Sequence, residues 1–311
     1  LLTLTPLVGA VVTLILGRTD AKVARMTALV FSLLALLEAG WLVGHFDSTV
    51  SGLQFVERHE WIPSLAVDYF LAVDGLSILL VLLSALLIPF ALALSPAAPE
   101  KANVFYALFL VLQTGLFGAF TALNFFHWFI YWDLGLGPAY FLIKLWGGEG
   151  RRAAATQFFI YTLAGSVAML LAMQAVYLAT DTFDLIKLAD LAKSGVLARG
   201  LETKLQWTGL SGSALGSLLF AGVFLGFAVK VPIMPFHTWL PDTYASAASR
   251  VTMVLTVSLS KMGVYGFLRI FVPIFPQQMR DCLGLLLPLA VVTIVACAFA
   301  RLTQTRLTPI P

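Results

Sequence analysis

Nine long apolar stretches constrain the fold of this chain more than any other feature of its sequence. Each approaches or exceeds the roughly 20 residues that an α-helix needs to cross the hydrocarbon core of a bilayer. Only 11% of the 311 residues are charged and 60% are hydrophobic, whereas soluble domains average about 25% charged residues. The sequence therefore predicts an all-α, polytopic transmembrane bundle, with spans near 1–17, 25–45, 71–95, 103–123, 125–145, 155–180, 213–234, 250–271 and 283–300.

The connections between these stretches predict the organisation of the chain in the membrane. We expect a single transmembrane domain over 1–311, in which the amphipathic segment 182–206 lies outside the membrane. The first stretch has no charged leader and no small-residue cleavage site, which favours a retained span, and the absence of an initial Met suggests a trimmed start. Lysine and arginine are denser on the connections that hold Arg18, Lys22 and Arg25, which predicts that this side is cytoplasmic and that the N-terminus lies outside.

Three charged residues fall inside predicted spans. They are Asp133, Lys230 and Lys261. A charge at the bilayer centre costs at least about 2.5–3.5 kcal/mol, so such residues face the bundle interior and usually have partners. One interpretation is a structural ion pair that fixes helix register. The other is a proton relay, in which Asp133 lies within several ångströms of Lys230 and a polar route continues to Lys261.

The segment FAVKVPIMPFHTWLPD predicts a broken helix next to one of these charges. Pro232 and Pro235 remove backbone donors and clash with the preceding turn, so the helix should break just after Lys230, with irregular backbone over 231–237. Broken helices at membrane depth place helix ends beside transported ions. His237 follows the break and is a candidate proton carrier, with a structural histidine as the alternative.

Other polar residues give weaker signals. Asp74 lies at a span entrance, where a helix-start role competes evenly with a functional one, and four residues near helix ends are predicted interfacial anchors: His127, Asp242, Tyr244 and Arg269. The sequence contains no Walker loop, dinucleotide fingerprint, HExxH, zinc spacing or haem motif. We therefore expect no catalytic centre, metal site or cofactor site in this chain, and its net charge of +3 does not indicate nucleic acid as a partner.

Several motifs together resemble a known family. FAVKVPIMPFHTWLPD, followed by LSKMGVYGFLRI, is similar to the signature of the antiporter-like membrane subunits of complex I. The stretches VDGLS, FIYWDLGLGPAYFLIKLWGG and FFIYTLAGS point to the subunit M type (subunit 4 in mitochondria) of NADH–quinone oxidoreductase. The D subunit of multi-subunit Na+/H+ antiporters and the membrane arms of energy-converting hydrogenases are also similar.

The resemblance implies a fold and roles for the buried charges. The chain would be the N-terminal part of a 14-helix antiporter-like bundle, with Lys230 in the broken seventh helix, Lys261 in the eighth and Asp133 where the family has a glutamate. Aspartate is one methylene shorter, which predicts weaker contact with Lys230. Ser246 and Ala248 stand where an acidic residue and a proline are usual, and QTRLTPIP replaces a family segment at the end of the chain. These departures indicate a divergent or truncated relative, or part of a longer subunit.

The function implied by the resemblance is proton translocation without redox chemistry in this chain. Flavin and iron–sulfur clusters would then belong to partner subunits of a bacterial inner-membrane translocase, and the partners of this chain would be other membrane-arm subunits and lipid. Two alternatives stay open, namely a cation/proton antiporter subunit and a non-pumping scaffold subunit.

Overall fold

The computed structural model describes residues 1–96 and 99–303, with the side chains of 300–303 left out. Apolar sequence turns into helices almost throughout, because in a bilayer each backbone group must be bonded within its own segment or a neighbour. The helices in chain order are α1 (Leu4–Leu16), α2 (Ala21–Gly44), α3 (Ser77–Ala93), α4 (Ala102–Thr121), α5 (Phe125–Leu134), α6 (Leu136–Trp146), α7 (Arg151–Thr180), α8 (Leu185–Lys193), α9 (Val196–Lys204), α10 (Gly212–Lys230), α11 (Trp239–Ser246), α12 (Ser249–Ile274) and α13 (Pro276–Thr303).

The predicted class, a helical bundle with a broken seventh segment, is confirmed. Six helices in the described part of the chain are long and apolar enough to cross a membrane: α2, α4, α7, α10, α12 and α13. The apolar helices α1 and α3 are shorter, with 13 and 17 residues, and the predicted span 125–145 is divided at Gly135 into α5 and α6. The count of nine spans therefore stays a prediction.

A β-hairpin precedes α3, and the sequence did not predict it. Strands β1 (Gln54–Ile62) and β2 (Val67–Val73) pair antiparallel, so the predicted span 71–95 was wrong at its start and the helix begins only at Ser77. Arg58 on β1 contacts the Asp68 carboxylate at 2.6 Å and the Asp184 carboxylate at 2.8 Å. Asp184 also caps α8, so this arginine attaches the hairpin to the α7–α8 connection.

The segment 182–206 contains two short helices, as its amphipathic pattern suggested. α8 and α9 bury leucines on one face, Leu185 and Leu188 in α8 and Leu197 and Leu201 in α9. Their lysines Lys187 and Lys193 are exposed. The position of this segment relative to the membrane stays a prediction.

Small residues bring three helices close together around the end of α10. A Cβ atom added to Gly165 of α7 would lie 3.3 Å from the Gly226 Cα atom of α10. On the other side, a Cβ atom added to Gly263 of α12 would lie 2.8 Å from the Val231 Cγ2 atom. Glycines at such contacts let helix backbones approach closely in membranes. The end of α10 is therefore held between α7 and α12.

α12 departs from regular α-helical geometry in two places. π-helical turns cover Leu255–Leu259 and Phe267–Phe271. Such turns are rare and are often found at functional sites. The first π-turn lies beside the end of α10, where Leu255 and Leu259 face Lys230 across a narrow gap.

Candidate functional site

Lys230 is the last residue of α10 and is 4% exposed. Its ammonium donates a hydrogen bond to the Trp132 carbonyl oxygen at 3.1 Å and lies 3.7 Å from the centre of the Trp132 ring. Trp132 lies in the last turn of α5, where carbonyl groups lack an intrahelical partner and carry the negative end of the helix dipole. The buried cation is therefore stabilised by a helix end and an aromatic face.

Asp133 follows Trp132 but does not contact Lys230. The Ser166 hydroxyl of α7 donates to Asp133 Oδ1 at 2.8 Å and accepts from Trp132 Nε1 at 3.0 Å. In the described part of the chain, Asp133 and Lys230 form no direct ion pair. Trp132 mediates instead, because its backbone binds the lysine while its indole binds the serine that holds the aspartate.

The predicted helix break lies where the prolines indicated. α10 ends at Lys230, α11 begins at Trp239, and the residues between them form irregular turns. The Met234 amide donates to Thr293 Oγ1 of α13 at 3.1 Å, and the Trp239 indole donates to the Val229 carbonyl at 3.0 Å. Neighbouring side chains thus bind the backbone groups that the break releases, as irregular backbone in a membrane requires.

His237 lies within this irregular segment and is half-buried. Its Nδ1 atom is buried and has no hydrogen-bond partner among the described residues. The structure places it seven positions beyond Lys230 on the α11 side of the break, with no hydrogen bond between the two side chains in the described set. Its proposed role as proton carrier stays a prediction.

The sequence predicted that Lys261 is buried, but in the structure of this chain its side chain is exposed. Gly263 and Gly266 occupy the face of α12 that packs against α10, next to Val231 and Phe227 respectively. Lys261 is exposed, as are the nearby residues Val264 and Leu268. Hydropathy along the chain places a residue at membrane depth but does not say which face of the helix carries it. The lysine therefore lies on a different face from the one that meets Lys230.

A narrow gap extends from Lys230 towards α11 and α12. Two hydroxyls lie along it, Tyr244 of α11 and Ser260 of α12, and these are 3.1 Å apart. The apolar walls come from Phe158, Trp239, Leu255 and Leu259. In this conformation the gap is too narrow for a water molecule. Tyr244, which the sequence predicted to be an interfacial anchor, thus belongs to the surroundings of Lys230.

Two of the other sequence candidates, Asp74 and Arg269, bind each other. The Asp74 carboxylate accepts from the Leu76 and Ser77 amides at the start of α3 and pairs with the Arg269 guanidinium. Arg269 also donates to the Tyr265 hydroxyl at 3.2 Å. The helix-start role of Asp74 is therefore confirmed, and the pair joins the start of α3 to the second π-turn of α12.

The remaining candidates have structural surroundings. His127 is 3% exposed and packs against the rings of Tyr69 and Tyr131, and its predicted role as an interfacial anchor stays a prediction. Asp242 is exposed in the first turn of α11. Ser246 is buried and donates to the Glu149 carbonyl at 3.1 Å, so the serine at the position where the family motif is acidic fastens α11 to the α6–α7 connection. The terminal stretch QTRLTPIP lies outside the described residues.

Sequence reasoning missed Trp132, Ser166 and Thr293. An indole next to a buried acid and a serine inside an apolar span were the available signals, but neither identifies its partner. The partners come from α5, α7 and α13, which meet only in the folded bundle.

Known proteins are similar in sequence to this chain over nearly its whole length. The family model described as "NADH:quinone oxidoreductase/Mrp antiporter, TM" matches residues 122–309. NADH-quinone oxidoreductase subunit M of Rhodobacter capsulatus is 36% identical over 315 residues, which cover 98% of this chain and 59% of that protein. NAD(P)H-quinone oxidoreductase chain 4 2 of Thermosynechococcus vestitus is 35% identical, over 98% of this chain and 55% of that protein. The chain thus spans less than two thirds of the length of these curated relatives.

Two solved structures share the fold. A chain of respiratory complex I from Thermus thermophilus superposes with a TM-score of 0.73 and 27% identity, over 94% of this chain and 57% of the other. A chain of the Mrp complex from Dietzia sp. DQ12-45-1b superposes with a TM-score of 0.66 and 21% identity, over 89% of this chain and 29% of the other. The second likeness concerns the fold alone.

Proposed function

The chain belongs to the NADH:quinone oxidoreductase/Mrp antiporter transmembrane family, and from this premise we propose that it translocates protons as a membrane-arm subunit of a complex I-type NADH–quinone oxidoreductase. The family that the motifs resembled is thereby confirmed, and the chain is an integral membrane protein. The observation that carries the proposal is Lys230, a buried cation at a helix break that no carboxylate contacts directly among the described residues.

The geometry around Lys230 suits a group that gains and loses a proton. Its ammonium is held by one carbonyl oxygen and one aromatic face, both from Trp132. An ammonium has three donors, of which one is bound here. A direct carboxylate contact would stabilise the charged form more strongly. Asp133 attracts the charge from farther away, so small movements of α5 relative to α10 change how well the charged form is stabilised. Proton binding is thereby linked to the packing of helices.

Electron transfer is assigned to other subunits in this proposal. Flavin and iron–sulfur clusters would lie in those partners, and this chain would contribute proton movement and contacts within the membrane arm. A bacterial inner membrane with the N-terminus outside is the proposed setting, since Arg18, Lys22 and Arg25 lie on the lysine- and arginine-rich side.

Two observations support the alternative functions. The family description names the Mrp antiporter as well, which supports a cation/proton antiporter subunit as the second candidate. The buried Ser246, which stands where the motif of the resembled family is acidic, supports a scaffold that does not pump. Coupling of proton uptake to quinone reduction separates these alternatives from the leading proposal.

The test replaces Lys230 with Met in the assembled complex, reconstituted in vesicles. Methionine keeps a long unbranched side chain and removes the charge. We expect the rate of proton uptake to fall strongly, and NADH oxidation to slow in step if the two processes are tightly coupled. Lys193→Met is the matched control, because Lys193 is exposed at the end of α8. Unchanged proton uptake in an assembled Lys230→Met complex would overturn the proposal.

A further inference from the structure

Tyr244 and Ser260 lie beside the buried lysine of the proposed function, Lys230. The Tyr244 hydroxyl of α11 and the Ser260 hydroxyl of α12 are 3.1 Å apart. Both residues line the narrow gap that begins at Lys230. Ser260 is the residue immediately before Lys261. The hydroxyl pair therefore lines the gap of the buried lysine, and one of its members is next in sequence to the exposed lysine.

The helical geometry of α12 explains why a link is needed there. Gly263 faces the end of α10, whereas Lys261 is exposed on another face. Successive residues of an α-helix are about 100° apart around its axis, so Ser260 lies between these two faces. A proton that moved from Lys230 to Lys261 would pass around the helix, and Ser260 lies on the part of the circumference between these two faces.

The first π-turn of α12 ends next to this serine. The turn covers Leu255–Leu259, and the Ser260 hydroxyl lies 3.4 Å from the Leu255 carbonyl oxygen. That serine hydroxyl can therefore bond either to its own helix or to Tyr244. Two alternative acceptors allow the hydroxyl to rotate, which a group that passes protons must do.

We propose that the Tyr244–Ser260 hydroxyl pair carries protons between Lys230 and the Lys261 face of α12, and that the gap beside Lys230 is the gate of this step. The inference rests on the proposed function and names a further part of the same route. The Lys230 ammonium releases a proton to the hydroxyl oxygen of Tyr244, which releases its own proton to Ser260, and Ser260 passes one on towards Lys261. Both hydroxyls end neutral, and Lys230 ends as the neutral amine until it is protonated again.

The apolar walls make this step conditional on a movement. The gap is too narrow for a water molecule in this conformation, and Leu255 and Leu259 line it. Transfer requires Tyr244 to swing towards Lys230 or the gap to widen and admit water. The conformation described here is thus the closed state of the proposed gate.

The test removes single hydroxyls in the assembled complex. Tyr244→Phe and Ser260→Ala each delete one oxygen, and we expect both to lower the rate of proton uptake several-fold while the complex remains assembled. Ser260→Thr keeps the hydroxyl and should restore most of the uptake. Tyr161→Phe is the matched control, because the Tyr161 hydroxyl bonds Thr238 Oγ1 at 2.8 Å next to α11 and lies outside the proposed route.

A solvent isotope effect separates a relay from a packing role. If protons pass through the hydroxyls, exchange of water for deuterium oxide should slow proton uptake in the wild type. The ratio of the uptake rates in the two solvents should then differ between Tyr244→Phe and the wild type. Wild-type uptake and an unchanged isotope effect in both Tyr244→Phe and Ser260→Ala would overturn the link. Lys230→Met separates failure of the hydroxyl relay from failure of the proposed function. If Lys230→Met abolishes proton uptake while the hydroxyl variants pump normally, the relay is refuted and the proposed function survives. If Lys230→Met pumps normally, the proposed function itself is refuted.

Discussion

Replacing Ser166 with Ala tests the network around Lys230 at its most connected point. The hydroxyl donates to Asp133 Oδ1 at 2.8 Å and accepts from Trp132 Nε1 at 3.0 Å, and Ser166 is 3% exposed. A hydrogen bond to a charged group contributes about 1.5–3 kcal/mol and a neutral one about 0.5–1.5 kcal/mol, so losing both should lower the free energy of unfolding by about 2–4 kcal/mol. The folded-to-unfolded ratio then falls by a factor of roughly thirty or more.

The measurement is reversible unfolding of the purified chain in mixed micelles with increasing SDS content, followed by circular dichroism. Ser84→Ala is the matched control, since this serine is fully buried in α3 and, among the described residues, its hydroxyl bonds only the Leu80 carbonyl of its own helix at 2.8 Å. A serine bonded to its own helix makes no hydrogen bond between helices, so we expect its removal to change the free energy by less than about 1 kcal/mol.

If Ser166 bridges Trp132 and Asp133, the free energies of unfolding of Ser166→Ala and Ser84→Ala must differ. Equal free energies of unfolding for Ser166→Ala and Ser84→Ala would refute the bridging role of Ser166. Ser166→Thr gives a further check, because it retains a hydroxyl at the same position. Its free energy should lie closer to the wild type than that of Ser166→Ala.

Two further predictions concern charges at other places in the bundle. Lys261→Met should lower proton uptake in vesicles if the route continues past Ser260, and wild-type uptake would favour the scaffold function instead. Burial alone raises the pKa of Asp74, but the Arg269 guanidinium and the Ser77 amide bring that pKa below its usual value of 3.8. A carboxyl whose pKa is lower in the folded state stabilises the fold above pH 3.8, and this contribution disappears as the pH falls through the folded-state pKa. Thermal stability should therefore fall below about pH 4 in the wild type, and Asp74→Asn should be less stable at neutral pH and lose this acid dependence; identical pH profiles would contradict the ion pair.

The break beside Lys230 was predictable because its cause is local. Pro232 and Pro235 restrict the backbone wherever they occur, so the sequence alone places the end of α10. The same holds for the helix start at Asp74, whose carboxylate lies three residues before Ser77 and bonds its amide. Local rules predict where helices begin and end.

The contacts of the buried charges were less predictable because they depend on packing. Opposite charges suggested that Asp133 and Lys230 meet, but the fold places the Trp132 carbonyl and ring against the ammonium. Lys261 shows the same limit, since a rotation of one residue about the helix axis changes the face it occupies. The hairpin was missed for another reason: β1 reads QFVERHEWI, which lacks the alternation of apolar and polar residues that predicts a strand.

Trp132 therefore contacts the buried lysine more directly than Asp133 does. Lys230 ends α10, and Trp132 lies in the last turn of α5, so the carboxyl-terminal ends of two helices meet at one ammonium. Both ends carry partial negative charge, which stabilises a cation without a carboxylate in contact. The position of the Trp132 carbonyl depends on the α5–α6 junction at Gly135, where an added Cβ atom would lie 3.4 Å from Leu259 of the first π-turn. Leu259 also lines the gap beside Lys230, so the first π-turn, the α5–α6 junction and the buried lysine are neighbours in the fold.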